Sequence, residues 1–262
     1  MTRATLSVGL LMVPTVLFAQ EGASRYELAE HPDHADHAGL HRPDRGDAGA
    51  HLAALRTIGL DGDVAALCRA AKLAMTIGLL TDPGHDAVRM AWFHEAEGYA
   101  HRALLVDPDS PEALFMEASA LGLQMHHLPG GDRVRMANQV LAKAERILEL
   151  DPDHPGGLHL MGRLAAEGMR VGPVKRFLVS RFMGGDVLSA ASWEKAETSL
   201  RAAVDAEPHD PMHRIELALV LRDTGREESA REHLRRVLAL PDSGLLVAYY
   251  KDRARQALRE MD

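Results

Sequence analysis

The chain has 262 residues, a formal net charge of −8 and an aromatic content of only 4%. The acidic balance argues against a nucleic-acid-binding protein, because contacts to phosphates require clustered Lys and Arg. Ala, Leu, Arg and Glu are abundant, and such a composition favours α-helices. A chain of this length can bury a substantial core. Its single cysteine, Cys68, cannot form an intramolecular disulfide and is interpreted as a small buried residue.

The first 19 residues have the pattern of a secretory signal peptide. Arg3 precedes an apolar stretch at residues 6–18, and the small residue Ala19 comes before a polar segment that starts at Gln20. A short basic start, an apolar stretch and a small residue at the cleavage point are typical of such signals. The alternative is a retained membrane anchor, but a span needs about 20 apolar residues and Pro14 interrupts this stretch. We therefore expect a periplasmic or extracellular protein with no membrane-spanning segment in its mature chain.

Residues 20–50 are predicted to form a flexible linker. The segment has little apolar content, so it cannot bury enough surface to offset the entropy lost on ordering. It is rich in histidine and aspartate, and four histidines recur every three to four residues: His31, His34, His37 and His41. Imidazole and carboxylate ligands suit Zn, Ni or Cu, and a disordered tract of this kind can bind metal weakly. A metal-binding or metal-responsive function of residues 31–51 is therefore the alternative hypothesis for this chain.

Residues 51–262 contain an internal repeat, which predicts a helical repeat domain. Three predicted helices end at an acidic residue followed by proline, and a second proline comes three residues later: Pro108 and Pro111, Pro152 and Pro155, Pro208 and Pro211. The first proline of each pair ends one helix, because the residue before a proline is pushed out of the α region. The second is expected in the first turn of the next helix, where its missing N–H costs nothing. Between the prolines, Asp109, Asp153 and Asp210 are candidates for N-caps.

These residues resemble the tetratricopeptide repeat (TPR). Leu158, Met161 and Gly162 match the first helix of that pattern, and the following helix matches it at Ala196, Leu200, Ala203 and Pro208. The Gly162-Arg163 pair, a long basic and apolar insertion, and the closing segment at residues 238–241 resemble the regulator of microtubule dynamics family over roughly residues 60–260. The resemblance implies an all-α, right-handed superhelical solenoid of about four TPR-like helix pairs, with insertions and a C-terminal capping helix. It implies protein binding without established chemistry, and the microtubule association of animal members is not transferred to a chain with a bacterial type of signal peptide.

The repeat spacing is longer than the plain TPR period of about 34 residues. Pro108 and Pro152 are 44 positions apart, and Pro152 and Pro208 are 56 apart. We expect the first insertion around residues 126–132, between the two helices of the second unit. The second insertion, around residues 168–185, is predicted to form a short amphipathic helix. The terminal helix, which starts near residue 242, is predicted to cap the solenoid.

The resemblance places the partner-binding groove on the first helix of each pair. Positions that face inward there correspond in this sequence to Phe115, Ser119, His159, Arg163, Glu167, Ile215, Leu219 and Arg222. Arg163 and Arg222 could bind a peptide carboxylate, or could pair with Glu167 and Asp223 on their own helices. No catalytic triad order, zincin motif or phosphate-binding glycine loop is present, so neither an enzyme nor a cofactor is predicted. The leading hypothesis is an exported, non-catalytic scaffold that presents a concave groove to a protein or peptide of unknown identity.

Overall fold

The computed structural model describes residues 49–53, 56, 62–172 and 191–262. The predicted signal peptide, the four histidines of the linker and the helix predicted within the second insertion lie outside these residues, so those three statements stay predictions. Within the described ranges the regular structure is entirely helical. No helix in this part of the chain is long and apolar enough to cross a membrane.

From residue 62 onward the described residues form nine α-helices. Their bounds are α1 Val64–Leu80, α2 Asp86–Val106, α3 Pro111–Gln124, α4 Gly130–Leu150, α5 Pro155–Arg170, α6 Trp193–Ala206, α7 Pro211–Asp223, α8 Glu227–Leu238 and α9 Val247–Arg259. Each helix packs against the next, and the odd-numbered helices also contact one another in succession from α1 to α9. This is the packing of a TPR-like solenoid, in which the first helices of the pairs share one side. The predicted fold of four helix pairs followed by a capping helix, α9, is confirmed.

The three proline junctions adopt the same conformation. At each junction the backbone N–H before the second proline donates to the carbonyl oxygen before the first, at 3.1–3.3 Å: Ser110 to Asp107, His154 to Asp151 and Asp210 to Glu207. Helices α3, α5 and α7 then begin at the second proline. The prediction that these prolines open the following helices is confirmed.

The N-caps of these three helices are Ser110, His154 and Asp210, and the side chain of each accepts a hydrogen bond from a backbone N–H in the first turn. The prediction for Asp210 is therefore confirmed. The predictions for Asp109 and Asp153 are wrong, because an N-cap directly precedes the first helical residue and these two lie one position too early. Their backbone N–H groups instead donate to the side chains of Asp107 and Asp151.

The first insertion lengthens a helix more than it lengthens a loop. A short 3₁₀ turn, Met125–His127, is followed closely by α4, which starts at Gly130 and has 21 residues. Among the other second helices, α2 also has 21 residues, whereas α6 and α8 have 14 and 12. The added residues therefore extend the second helix of the second pair, in which Gly130 is the first residue.

The core is built largely from alanine and leucine, and small residues allow the helices to approach closely. At Gly162 on α5, a Cβ atom would lie 2.6 Å from Cγ of Leu200 and 2.9 Å from the carbonyl oxygen of Ala196, both on α6. Ala196 and Leu200 are themselves completely buried. The close packing of α5 on α6 thus depends on the absence of a side chain at position 162.

Candidate functional site

The candidate site lies on the odd-numbered helices. Because α1, α3, α5, α7 and α9 contact one another in succession, their accessible side chains form one continuous surface, here called the odd-helix surface. It carries five of the eight residues predicted to contact a partner, all of them partly accessible: Phe115, Ser119, Arg163, Glu167 and Arg222.

The other three predicted residues are buried in the core. His159 is 2% exposed, Ile215 is 1% exposed and Leu219 is 7% exposed. Ile215 and Leu219 pack in the C-terminal hydrophobic cluster together with residues of α6, α8 and α9. Buried to this degree, these side chains offer a partner almost no accessible surface. Neighbouring helices cover positions that the repeat pattern alone places on the inner side.

The buried carboxylate of Glu216 lies near several arginines of the odd-numbered helices. Glu216 on α7 is only 4% exposed, and Nη2 of Arg253 on α9 donates to its Oε1 at 3.3 Å. Burial acts to raise the pKa of Glu216, but the nearby charges of Arg163, Arg253 and Arg170 outweigh it and lower the pKa to about 2. Glu216 is therefore ionised at neutral pH and holds arginines from both neighbouring odd-numbered helices.

A second group of ion pairs lies at the C-terminal ends of α5 and α7. Arg170 contacts Asp223 at 2.8 Å and Glu167 at 2.7 Å. Arg222 contacts Asp223 at 3.4 Å and Glu260 of α9 at 3.2 Å. The alternative in which Arg222 pairs with Asp223 on its own helix is thus confirmed, whereas Glu167 pairs with Arg170.

Arg163 differs from the neighbouring arginines. Its charge acts on Glu216, yet among the described residues no hydrogen bond or ion pair joins its partly accessible guanidinium group to another side chain. A guanidinium group presents five N–H donors in a planar fork that matches a carboxylate. Arg163 therefore supplies free donors on the odd-helix surface.

Sequence reasoning did not single out Glu216, Arg253 or Arg170. Glu216 did leave a signal, because it is the only charged residue among the apolar residues of positions 215–221. Arg253 and Arg170 could not be chosen from the sequence, since Arg163, Arg255 and Arg259 lie on the same two helices. Only the packing of α5 and α9 on α7 identifies them.

Two buried histidines join α5 and α7 at their N-terminal ends. Nδ1 of His159 lies 3.1 Å from Nδ1 of His213, and Nε2 of His213 lies 3.1 Å from Oε2 of Glu207. Burial is the main cause that lowers the pKa of His159 to about 3, and the neighbouring His213 acts in the same direction. His159 is therefore a neutral imidazole that contacts another imidazole across the repeat boundary.

A cleft of about 360 Å³ lies on the side of the even-numbered helices, between α2, α3 and α4. Its floor includes Glu117, the seventh residue of α3, although the seventh residues of α5 and α7 are apolar. Glu117 lies 3.2 Å from Nδ1 of His101 and forms an ion pair with Lys143. Residues of α2 and α4 already provide interaction partners for the Glu117 carboxylate. We therefore assign no ligand to this cleft.

Cys68 does not have the properties of a catalytic nucleophile. It is buried in α1, and burial raises the pKa of its thiol to about 11. The reactive form of cysteine is the thiolate. The interpretation of Cys68 as a packing residue agrees with this environment.

Comparisons with known proteins find one family model and several solved structures that are similar to this chain. The model of a family described as "Regulator of microtubule dynamics protein 1-3" matches residues 41–262. A comparison with curated proteins finds no match. Among solved structures, TTC0263, a thermophilic TPR protein of Thermus thermophilus, is 16% identical, with 81% of this chain and 99% of that chain covered and a TM-score of 0.44. MamA is 14% identical, with 81% and 93% covered and a TM-score of 0.37. YrrB, described as a TPR protein with an unusual peptide-binding site, is 14% identical, with 70% and 92% covered and a TM-score of 0.30.

Proposed function

The chain belongs to the Regulator of microtubule dynamics protein 1-3 family, and from this premise we propose that it is a non-catalytic scaffold that binds a protein or peptide on its odd-helix surface. Stacked helix pairs create extended surfaces that suit elongated partners. The accessible side chains on this surface are those of arginine, glutamate, serine and phenylalanine, which can contact a protein or peptide directly.

The observation that carries this proposal concerns the hydrogen-bond partners of the Arg163 guanidinium group. Arg170, Arg222 and Arg253 on the same surface are engaged by carboxylates of the chain. Arg163 lies among them without a hydrogen-bonded partner in the described residues, although its charge acts on Glu216. A partner carboxylate placed on Arg163 forms a charge-assisted hydrogen bond, which is stronger than a neutral one.

Charge reversal at Arg163 tests the proposal. Photo-crosslinking and mass spectrometry in the organism that produces the protein would identify partners of the wild type, of Arg163→Glu and of Lys195→Glu. Lys195 lies on the even-numbered helix α6, so its reversal makes the same charge change away from the odd-helix surface. We expect Arg163→Glu to reduce partner recovery about tenfold or more, because hydrogen bonds to charged groups contribute about 1.5–3 kcal/mol and the new carboxylate repels the partner's. Equal recovery with Arg163→Glu and wild type would show that the partner binds elsewhere.

We also propose that the protein acts outside the cytoplasm. The support is the apolar segment at residues 6–18 followed by Ala19, as expected for a cleaved signal. Mass spectrometry of the N-terminus of the protein purified from its host should find a mature chain that begins near Gln20. A mature chain that retains residues 1–19 and fractionates with the cytoplasm would contradict export.

A further inference from the structure

We propose that Glu207, Asp210 and His213 form a binding site for a divalent metal ion, with zinc as the best match, at the junction of α6 and α7. This site is separate from the odd-helix contacts of Arg163 and does not depend on the proposed scaffold function. It is also separate from the four N-terminal histidines.

The three side chains provide ligand atoms of the right kind and in nearly the right place. One carboxylate oxygen from each acid and one imidazole nitrogen of His213 lie within 4.8 Å of one another. Zinc accepts this combination of nitrogen and oxygen ligands at about 2.0–2.2 Å, with water in the fourth position of a tetrahedral site. The atoms must close by a small movement, and Glu207, whose side chain is 51% exposed, has the freedom to make it.

The turn that carries the two acids is already ordered. The N–H of Asp210 donates to the carbonyl oxygen of Glu207 at 3.1 Å, and Arg214 donates to the carbonyl oxygen of Pro208. Oδ1 of Asp210 accepts the N–H of Met212 at 2.7 Å, which leaves its second carboxylate oxygen for a ligand. The start of α7 carries a partial positive charge that opposes a cation, but two full negative charges stand beside it.

His213 is held in the orientation that a metal ligand requires. Its side chain is fully buried, and the contact of its Nδ1 with Nδ1 of His159 at 3.1 Å requires one proton between the two nitrogens. Nε2 of His213 donates its N–H to Oε2 of Glu207 at 3.1 Å. A metal ion at this position would replace that proton, and the proton shared by the two Nδ1 atoms would then lie on His213 and be donated to His159. Metal-binding histidines commonly donate their second N–H in this way, which fixes the ring and the tautomer.

The repeat itself does not explain this combination of residues. At the other two junctions the equivalent triplets are Asp107, Ser110 and Ala113, and Asp151, His154 and Gly157. The third position is small there, and at Gly157 a Cβ atom would lie 2.7 Å from Ile147. Only the junction of α6 and α7, among these three, has two carboxylates and a buried imidazole together. His213 is thus an individual feature of the last helix pair.

The test is a zinc titration of the full chain in which His31, His34, His37 and His41 are replaced by alanine. Calorimetry should find one zinc ion per chain in this background. Glu207→Gln and Asp210→Asn should each weaken binding about tenfold or more, in line with the sensitivity of metal sites to loss of supporting groups. Asparagine caps helices as well as aspartate does, so the second variant removes a charge and preserves the start of α7.

Glu112→Gln is the matched control, because Oε2 of Glu112 lies 3.9 Å from Nε2 of His154 at the start of another odd-numbered helix. This variant should leave zinc affinity unchanged, and circular dichroism should show the same helix content in all variants. The proposal is overturned if the four-alanine background binds no zinc, or if Glu207→Gln and Asp210→Asn both bind it as tightly as that background does. Binding that disappears with the four histidines would assign the metal to the N-terminal tract.

Discussion

Replacing Gly162 with valine is expected to lower the free energy of unfolding by about 3 kcal/mol, the upper part of the range for overpacked cores. Even the first added carbon would lie 2.9 Å from the carbonyl oxygen of Ala196, which belongs to the backbone of α6 and cannot rotate away. Leu200 also blocks the space, and it is fully buried with no room to move. Valine therefore forces α5 away from α6. Urea denaturation followed by circular dichroism at 222 nm would measure the change.

Gly122 on α3 and Gly98 on α2 supply the controls. A Cβ atom at either position would meet nothing within 4 Å. Alanine at these sites should stabilise the protein by about 0.5–1 kcal/mol, because glycine inside a helix loses more backbone entropy than alanine does. If Gly162→Val unfolds at the same urea concentration as wild type, the α5–α6 packing described above is wrong.

The second large effect is expected at Glu216. Glu216→Gln removes the buried negative charge near Arg253, Arg163 and Arg170. The three arginines then lose their electrostatic attraction to this carboxylate. Breaking a fully buried ion pair costs roughly 3–5 kcal/mol. The side chain of Arg253 is 32% exposed, so water compensates in part, and we expect a loss of about 2 kcal/mol at pH 7 in urea denaturation.

The effect of Glu216 should depend on pH in a defined direction. Its pKa falls from 4.5 to about 2 in the folded protein, so its charge stabilises the fold fully above about pH 4.5 and progressively less as the pH falls towards 2. The difference between wild type and Glu216→Gln should therefore be the same at pH 5 as at pH 7 and should shrink when denaturation is repeated at pH 4 and 3.5. A difference that stays constant over this range would contradict the assignment of an ionised buried carboxylate.

Glu149→Gln is the control for this series. Glu149 pairs with Arg146, but its side chain is 65% exposed. Exposed ion pairs contribute about 0–1 kcal/mol, so this variant should resemble wild type at every pH. The contrast separates the effect of a buried charge from that of removing any one carboxylate.

The helix junctions show how far local sequence predicts this fold. Pro111, Pro155 and Pro211 mark the starts of α3, α5 and α7 because proline has a fixed φ and no N–H, properties that belong to the residue itself. Gly162 and Ala196 likewise match the repeat pattern, and the structure places them where α5 packs closely on α6. The predictions were less accurate at the N-caps, where Ser110 and His154 take the places expected for Asp109 and Asp153, since a shift of one residue does not change the pattern of prolines.

The candidate site shows the limit of the same reasoning. Position in the repeat placed His159, Ile215 and Leu219 on the accessible inner side, but the structure buries all three. Burial depends on how neighbouring helices cover a position, and the repeat pattern describes one helix pair at a time. Arg163 and Arg222 were equivalent candidates in the sequence, yet Glu260 of α9 engages only Arg222.

The series of helices, their junctions and the repeat class can be read from the amino-acid sequence. These properties follow from proline, glycine and apolar spacing, which act over a few residues. The pairing of buried charges, in contrast, depends on how the helices pack. Glu216 contacts Arg253 and His213 contacts His159 because helices distant in the sequence come together there, and no local pattern encodes the distances between them.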